Sequence, residues 1–241
     1  EGRTARWRAV GVLGAATSFG ILSYYSVIGG WTLAYAIDTA VRGLPGDDAA
    51  AGQGRFDAFL TAGGVMTAVH AAFLVAVAAV VVRGVQRGIE AAMKVLMPLL
   101  GVLLISLAVW SCIEGDAGEA ARFLFVPDFG HLSGRGVLDA LGLGFFSIGV
   151  GLGMMITYAA YSSAEIDLRQ VAVSSVLADT AVSLVAGLAV FPIVFAHRLD
   201  PAGGPGLVFV SLPLAFSGLP GARVAAVAFF LLLFVAALGS A

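Results

Sequence analysis

Asp179 stands in the middle of an apolar run, Val171 to Ala196, that contains no lysine or arginine. A carboxylate at the centre of a membrane span costs about 2.5–3.5 kcal/mol on insertion scales, so it calls for a partner; a bound cation or a proton is the simplest. Ser183, four residues on, lies on the same helical face and is a second hard-oxygen group. The run Gly142 to Tyr161, GLGFFSIGVGLGMMITYAAY, carries Gly142, Gly144, Gly149, Gly151 and Gly153. Each interior glycine weakens a helix by about 0.8–1 kcal/mol against alanine. Two readings fit this run: a helix that unwinds between two halves, exposing amides and carbonyls to a ligand, or one that packs closely at its glycines. The phenols of Tyr24 and Tyr25 each need an acceptor at membrane depth, met by a helix carbonyl or by a substrate. His70 is a lone imidazole and reads as a packing residue, and Trp31 as an interfacial anchor.

Covalent chemistry has no constellation here. Cys112 is the single cysteine, so there is neither an internal disulfide nor a cysteine-based metal site, and no transition-metal ligand set is present. His131 and His197 fall in loops without a nearby nucleophile. The stretch Gly149 to Gly153 lacks the preceding strand and the following acid of a nucleotide loop. The protein is read as not an enzyme.

The elements that must position these groups follow from composition. Of 241 residues 60% are hydrophobic and 12% charged, with a mean hydropathy of +1.00, which excludes a soluble domain and makes nucleic acid an unexpected partner. The fold class is an all-α polytopic membrane protein embedded in a lipid bilayer. A single transmembrane domain over residues 1–241 is expected, with spans at about 9–41, 58–84, 92–113, 138–164, 170–196 and 222–241. The chain starts without methionine and stops inside an apolar run, so truncation at both ends is expected. Between Ala202 and Gly221 the punctuation by glycine and proline forbids one spanning helix and predicts a short outer hairpin. Clusters at Arg3 to Arg8 and Arg83 to Lys94 place the N-terminal end in the cytoplasm of a multi-pass cell-membrane protein, with negatively charged outer loops.

Seven stretches carry a resemblance that covers nearly the whole chain. They are YYSVIGGWTLAYA (Tyr24 to Ala36), RGIEAAMKVLMPLL (Arg87 to Leu100), FLFVPDFGHL (Phe123 to Leu132), FFSIGVGLGMMITYAAY (Phe145 to Tyr161), ADTAVSLVAGLAVFP (Ala178 to Pro192), GPGLVFVSLP (Gly204 to Pro213) and FFLLLFVAALGSA (Phe229 to Ala241). Together they resemble the neurotransmitter:sodium symporter family in its bacterial leucine-transporter-like form. The resemblance implies an internal fragment covering the family's helices three to eight of an inverted-repeat fold, with helix six broken. It also implies that the family's first helix, which supplies half of the substrate site and backbone ligands to both sodium ions, lies outside this chain.

Carried over residue by residue, the resemblance implies that Tyr25 contacts a substrate carboxylate and that Ile21 lines the pocket one turn earlier. Phe146 is the aromatic lid, and Ser147 a ligand of the first sodium beside Gly149 and Leu152, which face the substrate side chain. Asp179 falls where many relatives have an asparagine ligand of that sodium, and Ala236 and Ser240 match the second sodium site. Gly239 departs from the pattern, since relatives carry an oxygen-bearing side chain there; its own carbonyl, a water, or loss of the site are all open. The implied function is a sodium-coupled symporter of hydrophobic or aromatic amino acids, independent of chloride because Asp179 supplies the negative charge. Sodium ions are co-transported and no organic cofactor is expected. The partners are a small amino-acid substrate and, as an open option, a second copy of the chain. The alternatives are a non-transporting amino-acid receptor or regulatory protein, and an inactive fragment.

Overall fold

A computed structural model describes residues 5–46, 48–151, 153–161, 166–202 and 204–241. Ten α-helical stretches, a π-helical turn at Val85–Glu90 and a 3-10 turn at Phe129–His131 carry the described chain, and no strand occurs among its residues. The α-helical stretches are α1 (Ala5–Arg42), α2 (Ala49–Thr61), α3 (Gly63–Val81), α4 (Ala91–Glu114), α5 (Ala117–Phe125), α6 (Gly134–Ile148), α7 (Met154–Tyr161), α8 (Leu168–Ala196), α9 (Gly204–Ser217) and α10 (Ala222–Ser240). Five of the described helical stretches are long and apolar enough to cross a membrane: Arg8–Arg42, Gly63–Val81, Arg87–Glu114, Leu168–Ala196 and Ala222–Ser240. In the expected span at 138–164, for which the resemblance implies a broken helix, the described residues form two shorter helices, α6 and α7. The expected span at 58–84 contributes its first residues to α2, which Asp48 caps by accepting the amide of Ala50 at 2.9 Å.

The described chain groups into two compact units, whose boundaries fall inside α1, at the end of α5 and inside α8. The first unit holds the chain through Tyr24 and Val126–Leu184; the second holds Tyr25–Phe125 and Val185–Ala241.

The second unit contains the core, in which Leu104, Ile193, Phe216, Phe229 and Phe230 are buried. Helix α9 differs from the expected hairpin: it is a continuous helical run with a π turn at Leu207–Ser211, and it buries Leu207, Phe209, Leu212 and Phe216. Its glycines lie at its start and its Leu-Pro pair at the first turn of its last segment, where proline's missing N–H is tolerated. Trp31 also departs from expectation. It sits edge-on to Phe56, Phe59 and Phe209 at 5.6–6.1 Å, a packed aromatic residue rather than a surface anchor. Arg223 at the start of α10 donates to the carbonyls of Ala40 and Val41, a cation on the otherwise unsatisfied C-terminal end of α1.

Candidate functional site

In the first unit, α6 stops because the chain turns left-handed. Gly149 has φ +78°, its amide bonds back to Phe146 O at 3.1 Å, and the amide of Val150 reaches Phe145 O at 2.9 Å. This pair of bonds is the Schellman ending, in which a glycine takes the left-handed position that other residues enter only with strain. Gly151 and Gly153 are left-handed as well, at +86° and +82°, and α7 starts at Met154. A Cβ on Gly153 would lie 3.2 Å from the Cα of Gly14, so α7 begins against the backbone of α1. Gly149 to Gly151 and Gly153 therefore lie outside any helix, and beyond the bonded carbonyls of Phe145 and Phe146 the end of α6 and the start of α7 have backbone groups of the kind a helix end leaves open. Leu152 lies outside the described residues.

Ser147, in the last turn of α6, donates its hydroxyl to Asp179 Oδ1 of α8 at 2.7 Å. The bond brings together the two side chains that the sequence singled out for a cation. The serine oxygen keeps its lone pairs while donating, and Asp179 keeps its second oxygen, so both remain acceptors. Asp179 is half-buried and makes no ion pair among the described residues. No group of three or more His, Cys, Asp and Glu side chains gathers among the described residues, so the donor set is hydroxyl, carboxylate and backbone carbonyl. Such hard oxygens suit a group IA or IIA cation. Phe146 is exposed, next to this pair in sequence, and Ile21 in the same unit is half-buried on α1.

The second unit carries the remaining candidates. Tyr25 is half-buried at its edge, whereas its neighbour Tyr24 is exposed. At the end of α10, Ser240 donates to the carbonyl of Ala236 at 3.0 Å, so two expected ligands of a second cation are already adjacent. Gly239 faces α4: a Cβ there would meet Met97 Cε at 3.4 Å and the thioether of Met93 at 3.8 Å. Reading the sequence missed these methionines, whose i, i+4 spacing on α4 was the available signal. It also missed the ion pair of Asp38 with Arg55, 17 residues apart and joined by the guanidinium Nε at 2.7 Å.

The profile of the Sodium:neurotransmitter symporter family matches residues 55–241. An uncharacterized sodium-dependent transporter of Bacillus subtilis, YhdH, is 38% identical across the whole of this chain and 53% of its own length. A Haemophilus influenzae sodium-dependent transporter is 31% identical over 99% of the chain and 53% of itself. The crystal structure of MhsT in complex with L-phenylalanine is similar with a TM-score of 0.85 and 43% identity, over 97% of this chain and 53% of that one. The chain thus spans about half the length of the curated relatives it matches.

Proposed function

Because this chain belongs to the sodium:neurotransmitter symporter family, we propose that it works in a sodium-coupled amino-acid symporter, with the helix break after Ile148 and the Ser147–Asp179 pair at the centre of its site. The carrying observation is that hydrogen bond, made at the point where α6 leaves its helix. A sodium ion as cargo needs several hard oxygens; Ser147 Oγ, the free oxygen of Asp179 and open carbonyls at the break supply the kind it needs. The charge of Asp179 neutralises the ion locally, which removes the need for a co-bound chloride.

The substrate side of the reading is apolar. Ile21, Phe146 and Leu152 carry no charge, so an amino acid with a charged side chain would lose its hydration without a partner there, whereas a large apolar or aromatic one would not. Tyr25 takes the carboxylate in this reading, Gly149 lies beside the substrate side chain, and Ala236, Gly239 and Ser240 serve a second sodium. The similarity to MhsT, solved with L-phenylalanine, supports an aromatic substrate. The N-terminal end of α1 is placed on the cytoplasmic side, on the strength of Arg3 to Arg8 and Arg83 to Lys94.

The test is uptake of labelled phenylalanine by the intact protein in proteoliposomes. An inward sodium gradient should drive accumulation, and replacing sodium with choline should abolish it. Saturable phenylalanine binding without any accumulation would favour the receptor reading instead, and accumulation that ignores sodium would reject the coupling.

A further inference from the structure

The side chain that covers Gly149 comes from the other side of the helix break. Met154 opens α7, and its methyl reaches back over the end of α6: a Cβ built on Gly149 would lie 2.5 Å from Met154 Cε and 3.9 Å from its Cβ and Sδ. Carbon atoms in contact sit about 3.5–4.0 Å apart, so the place that a side chain at 149 would take is already filled. Gly149 is buried and Met154 half-buried, whereas the next residue, Met155, is exposed. Both partners of this contact belong to the first unit.

The local sequence explains why a methionine can lie there. Gly149 is left-handed at φ +78° and has no Cβ to keep the thioether out. Gly151 and Gly153 also lack side chains, and Val150 is exposed, so among the described residues Met154 is the first half-buried side chain to follow Gly149. Ser147, bonded to Asp179, stands in the last turn before the break, and Met154 in the first turn after it. One edge of the break thus carries hard oxygens and the other a soft apolar group.

The residue type matters as much as its place. Methionine is unbranched, has three rotatable bonds and a polarisable sulfur, fills irregular apolar gaps and makes favourable contact with aromatic rings. We propose that Met154 is the specificity-determining side chain of the site at the break, its thioether setting how large a substrate side chain fits beside Gly149. This rests on the reading of the break as the place where an amino acid binds. Because the methionine tip swings, the limit it sets is graded: it gives way to a large ring and closes on a smaller one.

The test is binding of labelled phenylalanine to the intact protein in detergent with sodium present, displaced by unlabelled phenylalanine, tryptophan or alanine. Met154→Ala removes Cγ, Sδ and Cε, so the affinity for phenylalanine relative to tryptophan should fall at least fivefold, while that for alanine should change less than twofold. Met154→Leu, similar in volume, should keep every ratio within twofold of wild type. Met154→Phe should weaken phenylalanine and tryptophan at least tenfold more than alanine; if its melting temperature falls well below that of wild type, the ratio in Met154→Ala decides. A methionine that only props up the break would, on replacement by alanine, lower the affinity for all three amino acids by one common factor. That result, or ratios unchanged in Met154→Ala, would overturn the assignment of Met154 while leaving the site in place. Absence of saturable phenylalanine binding in wild type would instead reject the amino-acid reading of the break, and this inference with it.

Discussion

Asp179 and Gly239 are the residues at which this chain states something specific about ions. In the proposed reading, Asp179 supplies a fixed negative charge beside the first sodium, so uptake should be unchanged when chloride is replaced by gluconate. Asp179→Asn keeps the hydrogen-bonding shape of the side chain and removes the charge. It should raise the sodium concentration for half-maximal uptake by about tenfold, equivalent to roughly 1.4 kcal/mol, or make uptake chloride-dependent. Loss of wild-type uptake in gluconate would reject the charge argument. Gly239 is close to Met97 Cε, with a Cβ contact of 3.4 Å that a rotating methionine tip can accommodate. Gly239→Ser should therefore fold and, by adding one oxygen near Ala236 and Ser240, tighten apparent sodium affinity by about two- to tenfold, the worth of roughly 0.5–1.5 kcal/mol. A sodium titration identical to wild type would remove Gly239 from the second site.

At the scale of elements, the break between α6 and α7 rests on three left-handed glycines that differ in their surroundings. An alanine in this region is strained by roughly 1–2 kcal/mol at any of the three. At Gly151 there is nothing within 4 Å, at Gly149 the first obstacle is the movable end of Met154, and at Gly153 it is the backbone of Gly14. Melting temperatures of the intact protein in detergent should therefore fall least for Gly151→Ala and most for Gly153→Ala. The reverse order would mean that α7 does not start against α1. The same geometry makes Gly149 a poor place to probe pocket volume, because a larger residue there strains the helix ending before it fills any space. Phe146 is better: it is exposed, and Phe146→Ala should cost phenylalanine uptake more than alanine uptake.

For the whole molecule, the expected topology can be checked on one background. With Cys112→Ser, the chain has no thiol, and single cysteines can be placed at exposed positions. Arg135→Cys should react with a membrane-impermeant maleimide on intact cells, and Arg83→Cys only after permeabilisation. The opposite pattern would invert the orientation drawn from the basic clusters, and labelling of both on intact cells would reject it.

The sequence by itself determined the membrane class and the helical content, because hydropathy acts locally, and it left the glycine-rich run open between a break and close packing. It also marked Asp179 as an acid in need of a partner, since the apolar run around it holds no base. Only the tertiary structure showed the direct hydrogen bond of Asp179 with Ser147, 32 residues away, and that Gly153 begins a helix against Gly14. The packing of Trp31 into an aromatic cluster and the straightening of residues 204–217 into a buried helix were likewise illegible. Each depends on a surface supplied by a distant part of the chain, and a tryptophan or a glycine-proline run reads the same in sequence whether that surface is lipid, water or a neighbouring helix.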